Sequence, residues 1–161
     1  MSEDSEIVVL DDANLEFARE VAAQPGGENL WRCFACGTCV SGCPVSEVAP
    51  EYSPRKIIRQ ILFGQRDAVL ASPEIWYCLV CYRCYARCPQ KVNFTDVMRV
   101  LRYMAIKGRH VPVEVLKRQG RIDQLANQTR CELLRSAMAK GDAAVDSFET
   151  KLAAEIGSVE R

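Results

Sequence analysis

One cysteine spacing occurs twice in this chain, and it constrains the fold more than any other feature. The first run is CFACGTCVSGCP at residues 33–44, and the second is CLVCYRCYARCP at residues 78–89. Together the two runs contain eight of the nine cysteines. Each run has the pattern C-x2-C-x2-C-x3-C-P, which is typical of proteins that bind two [4Fe–4S] clusters.

The spacing also predicts which cysteines share a cluster. A loop with a thiolate at every third position can reach three iron corners of a cubane, while the fourth corner faces away from that loop. A proline after the fourth cysteine stops the chain from curling further around the same cluster, and in two-cluster ferredoxins this cysteine binds the other cluster. We therefore expect one ligand set of Cys33, Cys36, Cys39 and Cys88, and a second of Cys78, Cys81, Cys84 and Cys43.

Zinc and disulfide bonds are the alternatives to iron–sulfur clusters. Thiolates are soft ligands that suit zinc as well as iron, so the ligand type alone does not identify the metal. Structural zinc sites usually use two separated pairs of ligands, whereas each run here has three evenly spaced cysteines followed by a fourth. An odd number of cysteines also argues against complete disulfide pairing. The spacing therefore favours two clusters over either alternative.

Length and charge exclude several classes of protein. A chain of 161 residues is long enough for one domain with extensions. Its 21 basic and 21 acidic side chains give a formal net charge of zero, unlike a nucleic-acid-binding protein. No apolar run approaches the roughly 18 residues of a membrane span, and the acidic start MSEDSE is unlike a signal peptide. We expect a cytoplasmic protein from an anaerobic or low-oxygen setting, without nucleic-acid binding or direct membrane insertion.

The segments around the runs predict helices. Residues 7–10 could form an edge strand or an extended arm, and residues 11–23 have helical spacing that ends at Pro25-Gly26-Gly27. Between the runs, Ser53 can cap a helix that has Pro54 at its first position, and a second short helix should begin at Ser72-Pro73. A third helix is predicted over residues 95–107.

Beyond residue 112 the sequence changes character. Residues 113–119 predict a short helix that breaks at Gly120, and residues 122–137 predict a longer helix that ends at Gly141. The rest of the tail is weakly helical. Its apolar stripe could cover the core or dock on a partner, and the pattern alone does not choose between them.

Together these patterns predict an all-α fold: an α-helical ferredoxin-like domain that binds two [4Fe–4S] clusters, with N- and C-terminal helical extensions. We expect an arm and helix over residues 1–28, the two-cluster domain over residues 29–112 and the C-terminal extension over residues 113–161.

Several residues near the runs have two interpretations. Arg83, Arg87 and Lys91 accompany the second run, which predicts a less negative potential for the Cys78-led cluster, unless these side chains are simply solvated. The aromatic side chains beside both runs could shield the clusters or form core; they are Trp31, Phe34, Trp76, Tyr77, Tyr82 and Tyr85. We expect Cys131 to be a buried, inert thiol and His110 to be a loop residue.

The chain has no motif for catalysis. It contains no Ser/His/Asp set, no P-loop and no dinucleotide-binding motif. Two one-electron clusters instead suit a relay, which must receive electrons from something else and pass them on, and we expect no active site in this chain.

With both cysteine runs, a helical linker that begins at Ser53-Pro54 and this overall size, the chain resembles the HdrC family over about residues 29–112. Members of this family are the small iron–sulfur subunits of heterodisulfide reductase. The resemblance implies a non-catalytic electron-relay subunit of an oxidoreductase complex. It would pass electrons from a flavin-containing, electron-bifurcating protein to the catalytic protein of the same complex. In methanogens the catalytic protein would reduce the disulfide of coenzyme M and coenzyme B. The resemblance also allows a hydrogenase or formate dehydrogenase in a larger complex, and it supports the crossed ligation at all eight cysteines.

Related domains leave other functions open. They occur in iron–sulfur subunits of anaerobic glycerol-3-phosphate dehydrogenase and of succinate or fumarate oxidoreductases, usually fused to further domains, which we do not expect here. The chain also lacks the Cys-Cys-Gly motifs that mark the catalytic protein of heterodisulfide reductase. A stand-alone ferredoxin is the remaining alternative. Ferredoxins of that kind tend to be compact and acidic, whereas this chain is neutral and has helical extensions.

Overall fold

A computed structural model describes residues 16–159 of the protein, with side chains as far as residue 154. The chain divides into two compact units, Met1–Pro112 and Val113–Arg161. Every regular element in the described part is helical, so the predicted all-α fold is confirmed. The strand or arm predicted at residues 7–10 lies outside the described residues. No helix within residues 16–159 combines the length and apolarity that a membrane span needs.

The first unit contains eight α-helices among its described residues. A 3₁₀ turn, Leu30–Arg32, precedes the first cysteine run. The helices are α1 (Phe17–Ala22), α2 (Thr38–Ser41), α3 (Pro44–Val48), α4 (Pro54–Leu62), α5 (Arg66–Leu70), α6 (Glu74–Tyr77), α7 (Arg83–Arg87) and α8 (Phe94–Lys107).

Helices α4 and α8 supply much of the core, and both were predicted. The Lys56 amide donates a hydrogen bond of 3.3 Å to Ser53 Oγ, which caps α4 as expected. Ile57, Ile58 and Ile61 form the buried face of α4. Helix α8 is 14 residues long and buries the predicted face of Val97, Val100, Leu101 and Met104. Helix α1 packs against both α4 and α8, so the linker and the chain after the second run share one core.

The shorter helices were predicted less well. Helix α6 begins at Glu74, one residue later than predicted. Pro73, which was expected at the first helical position, is instead the N-cap residue. Ser72 still contributes, since its Oγ accepts a hydrogen bond of 3.1 Å from the Glu74 amide. Helices α2, α3, α5 and α7 have only four or five residues each. They are too short to produce a periodic apolar pattern.

The second unit consists of two helices that pack on each other, α9 (Glu114–Lys140) and α10 (Ala143–Val159). Gly141 ends α9 as predicted, with a φ of +71°. The break predicted at Gly120 is wrong, because α9 continues through it. A glycine inside a helix costs about 1 kcal/mol relative to alanine but keeps its backbone hydrogen bonds. The burial predicted for Cys131 is also wrong, because its side chain on α9 is exposed.

We expect Gly120→Ala to stabilise α9. A Cβ at position 120 would meet no heavy atom within 4 Å, so the substitution removes only the conformational freedom of glycine. A gain of about 1 kcal/mol should slow amide hydrogen exchange near residue 120 about five-fold. Gly27→Ala is the contrasting variant, since its Cβ would lie 1.9 Å from the Val21 carbonyl oxygen and should destabilise the fold. Unchanged or faster exchange in Gly120→Ala would contradict this prediction.

Candidate metal centre

Two cavities in the first unit bring the cysteine runs together. Cys88 of the second run joins three cysteines of the first run around one cavity, where the thiols are Cys33, Cys36, Cys39, Cys88 and Cys84. Cys43 of the first run joins the second run around the other cavity, where the thiols are Cys43, Cys78, Cys81 and Cys84. We call these the Cys33 cavity and the Cys78 cavity. Cys84 and Phe94 line both of them, so the two cavities are adjacent.

The repeated spacing produces the same backbone geometry in both loops. The residue before the second cysteine has positive φ in each run, +59° at Ala35 and +52° at Val80. The residue after the second cysteine does too, +86° at Gly37 and +60° at Tyr82. The second loop therefore makes its left-handed turn without glycine, which is uncommon for a bulky side chain. Such local strain is tolerated where the surroundings fix the conformation.

The helices next to each loop then place the remaining cysteines. Cys39 lies on α2 and Cys84 on α7, and these two short helices pack together. Cys43 and Cys88, each followed by proline, have extended backbone with ψ of 118° and 113°. The residue before a proline is disfavoured in helical conformation. This break turns the fourth cysteine of each run out of its own loop.

Hydrogen bonds reach the sulfur of several cysteines. Thr38 Oγ1 lies 3.2 Å from Cys36 Sγ, and Thr95 Oγ1 lies 3.4 Å from Cys84 Sγ. The Val92 amide donates to Cys88 Sγ at 3.5 Å. Once these cysteines are thiolates, only the hydroxyl and amide groups can donate. Hydrogen bonds to sulfur are one means by which a protein sets the reduction potential of an iron–sulfur cluster.

Burial and hydrogen bonding move the thiol pKa values in opposite directions. The hydrogen bond with the Thr38 side chain lowers the pKa of exposed Cys36. Burial, reinforced by neighbouring Cys33, raises the pKa of Cys39 to about 11. Burial also raises the pKa of Cys84, against the hydrogen bond with Thr95. Binding of iron must therefore displace protons from Cys39 and Cys84.

Tyr52 belongs to the Cys78 cavity and was not singled out from the sequence. Its side chain is 1% exposed and lines this cavity beside Cys78. Burial, together with neighbouring Cys78, raises the pKa of its hydroxyl. The Tyr52 hydroxyl therefore stays protonated and can donate a hydrogen bond to a thiolate.

Positive charge is shared between the cavities, unlike the asymmetry expected from sequence. Arg55 of α4 lines the Cys33 cavity and Arg83 lines the Cys78 cavity. Arg87 extends to the first run, where a Cβ on Gly42 would lie 2.2 Å from its Nη1. Counting the charged residues in and beside the two runs missed Arg55, because it lies in the linker and not next to either run. The predicted order of the two cluster potentials stays a prediction.

Most of the aromatic side chains near the runs are surface residues. Half-buried Trp76 is the exception, and the exposed ones are Trp31, Phe34, Tyr77, Tyr82 and Tyr85. Their interpretation as core is therefore wrong, because both cysteine loops lie at the surface of the first unit. Phe34, which is 59% exposed, lines the Cys33 cavity.

The lining of both cavities fits iron–sulfur clusters. Apart from the thiols it is largely apolar or cationic, and it contains no carboxylate among the residues described. Soft thiolates with no competing carboxylate suit iron–sulfur clusters better than a hard cation.

His110 lies away from both linings, and its Nε2 is 3.8 Å from Asp67 Oδ1. As expected, it follows the end of α8 in a loop.

Comparisons with known proteins also indicate iron–sulfur binding. The family model for a 4Fe-4S dicluster domain matches residues 28–92. One relative is an H2:CoB-CoM heterodisulfide, ferredoxin reductase subunit from Methanothermobacter thermautotrophicus. It is 37% identical over 93 residues, 58% of this chain and 49% of that protein. Another is an iron–sulfur subunit of the CoB–CoM heterodisulfide reductase of Methanocaldococcus jannaschii, which is 40% identical over 106 residues, 62% of this chain and 56% of that protein.

A third relative is a subunit of the ferredoxin:CoB-CoM heterodisulfide reductase of Methanosarcina acetivorans. It is 40% identical over 91 residues, 56% of this chain and 36% of that protein. The chain thus spans about half the length, or less, of these curated relatives. Residues 28–92 are therefore a 4Fe-4S dicluster domain that binds two [4Fe–4S] clusters, and over the matched region the chain is similar to iron–sulfur subunits of heterodisulfide reductases.

Proposed function

We propose that this chain is the electron-transfer subunit of a heterodisulfide reductase-type complex in the cytoplasm. One observation carries the proposal: the two cavities are adjacent and share Cys84 and Phe94 in their linings. When bound, each [4Fe–4S] cluster accepts and releases one electron. The protein holds the two sites close together and leaves both loops at its surface. This arrangement suits a relay that receives electrons from one protein and passes them to another.

The proposal includes crossed ligation of the two clusters. The Cys33 cavity has five thiols and the Cys78 cavity has four, with Cys84 common to both. If each cluster takes four of the eight thiols, Cys84 must bind in the Cys78 cavity, which otherwise has only three. The ligand sets are then Cys33, Cys36, Cys39 and Cys88 for one cluster, and Cys78, Cys81, Cys84 and Cys43 for the other.

The proposed partners follow from the relatives. Their names describe subunits of enzymes that act on the CoB-CoM heterodisulfide, some together with ferredoxin or H2. For this chain we propose that a flavin-containing, bifurcating protein of the heterodisulfide reductase complex is the donor and that its catalytic protein is the acceptor. A hydrogenase or formate dehydrogenase would extend the complex. The chain itself would have no active site, and the disulfide substrate, CoM-S-S-CoB or a related one, would bind to the catalytic protein.

Cysteine variants test the ligand sets directly. Cys36→Ala removes a ligand that lines only the Cys33 cavity, and Cys81→Ala removes one that lines only the Cys78 cavity. With crossed ligation, Cys88→Ala should reproduce the EPR spectrum of Cys36→Ala, and Cys43→Ala should reproduce that of Cys81→Ala. Each variant should lose up to half of about eight irons. Cys131→Ala is the control and should keep both clusters. A match between Cys88→Ala and Cys81→Ala would refute the crossed assignment.

Thr95→Val should lower the potential of the Cys78-side cluster alone. The substitution keeps the shape of this side chain, which is 1% exposed, but removes the hydroxyl that lies 3.4 Å from Cys84 Sγ. A hydrogen bond to sulfur stabilises the reduced cluster more than the oxidised one. Losing about 1 kcal/mol of this stabilisation should shift the reduction potential by roughly −40 mV.

An EPR-monitored redox titration would measure this shift and also the order of the two potentials. Thr38→Val is the matched variant, since Thr38 contacts Cys36, and it should act on the other cluster. An unchanged Cys78-side potential in Thr95→Val would count against the sulfur hydrogen bond.

Anaerobic purification of the untagged native protein tests the relay. We expect co-purification with a flavoprotein and with a protein rich in Cys-Cys-Gly motifs, identified by mass spectrometry, together with about eight irons in this chain. A monomer that elutes alone and accepts electrons from diverse reductases would instead support a stand-alone ferredoxin. Co-purification with glycerol-3-phosphate dehydrogenase or a succinate or fumarate oxidoreductase would replace the proposed complex with another.

A further inference from the structure

One arginine is buried beneath the start of the second cysteine run. Arg102 lies on α8 and is 8% exposed. Its Nε donates to the Ile75 carbonyl at 2.8 Å, and its Nη2 donates to the Cys78 carbonyl at 2.8 Å and to the Trp76 carbonyl at 3.3 Å. Thus one guanidinium binds three backbone carbonyls within a stretch of four residues.

These carbonyls lie where the chain leaves a helix. Helix α6 ends at Tyr77, and the last carbonyls of any helix lack partners within it. Cys78 then has extended backbone, with φ of −60° and ψ of 120°, and begins the second run. Arg102 satisfies the end of α6 and holds the backbone of a cysteine that lines the Cys78 cavity. Its Cζ also lies 5.5 Å from the centre of the Trp76 ring, a cation–π contact that restrains the same segment.

Arginine is well suited to this position. Its planar guanidinium presents several N–H donors in a fixed geometry, and it keeps its charge at every accessible pH. A lysine would present a single ammonium on a flexible chain and could not hold all three carbonyls in the same way. A buried arginine could also serve only general stability. Losing these three hydrogen bonds should act first on residues 75–78, where they end, whereas a purely structural loss would loosen the whole core.

We propose that Arg102 is a positioning residue for the Cys78-side cluster: by fixing the Cys78 backbone, it sets the retention and the reduction potential of that cluster and leaves the Cys33-side cluster unaffected. The inference rests on the proposed ligation by Cys78. Ligand orientation and the hydrogen bonds around a metal site are known to tune both affinity and potential. Arg102 acts through the backbone of the ligand rather than through its sulfur.

Three variants of α8 test this role. Arg102→Gln removes the guanidinium, and Arg102→Lys keeps the charge without the planar set of donors. Lys107→Gln is the control, since it removes a cation at the end of the same helix that lies over the Tyr103 ring. In Arg102→Gln we expect release of about half the iron to a chelator at least ten-fold faster than in the unmodified protein, with a shifted EPR signal and potential for the Cys78-side cluster. Arg102→Lys should show a rate of iron release and a cluster potential between those of Arg102→Gln and the unmodified protein. Lys107→Gln should match the unmodified protein.

The outcomes separate the inference from its basis. Equal effects on both clusters would assign Arg102 to general stability, and no effect on either would also overturn the positioning role. If Arg102→Gln does not fold, the potential and EPR signal of Arg102→Lys decide, since an unshifted Cys78-side cluster contradicts the proposal. The cysteine variants test the ligand sets independently. If the EPR spectra of the paired cysteine variants do not match as expected, the proposed ligation is wrong. If they match but the Arg102 variants do not affect the Cys78-side cluster selectively, only the role of Arg102 is overturned.

Discussion

The constraint on which the rest of the structure depends is that eight thiols must converge on two adjacent cavities from two separate runs. Each cavity takes thiols from both runs, so neither can be complete until residues 33–43 and 78–88 are brought together. The intervening helices α4, α5 and α6 set that distance. Binding of the clusters is therefore coupled to folding of the whole first unit, because a site that is absent in the unfolded chain adds its binding energy to the folded one.

Helix α8 connects the core to both cavities. Its first residues, Phe94 and Thr95, line the Cys78 cavity, and Phe94 lines the Cys33 cavity as well. Two turns later Arg102 holds the carbonyl of Cys78, while Leu101 is fully buried among the apolar residues. One 14-residue helix therefore supplies a side chain that lines both cavities, a hydroxyl group next to a cysteine sulfur, and a guanidinium that binds the backbone of another cysteine. This arrangement explains why a domain with so many helices of only four or five residues can still form well-defined sites.

The sequence predicted the parts governed by local chemistry. Spacing alone identified the eight cavity cysteines, and caps and periodicity identified α4 and α8. The failures have physical causes: a long helix tolerates Gly120, and periodicity does not say which apolar face is covered, so Cys131 was wrongly placed in a core. Arg102 was missed because charged residues were assumed to face solvent. A signal was present, since it lies four residues after Met98 on the buried face of α8. The partners of Tyr52 and Thr95 depend on tertiary packing and leave no trace in sequence spacing.

The repeat also determines what the cavities present to the outside. Phe34 and Leu79 each follow the first cysteine of a run, line the Cys33 and Cys78 cavities respectively, and are 59% and 60% exposed. Equivalent positions thus place one apolar side chain at the solvent edge of each cavity. Exposed apolar groups beside a functional site often mark the place where another protein binds. Under the proposed function, electrons would enter at one of these edges and leave at the other. A partner bound at each edge would also keep water from the clusters during electron transfer. Positive charge at both cavities, from Arg55 and Arg83, would then favour acidic surfaces on both partners, even though the whole chain has no net charge.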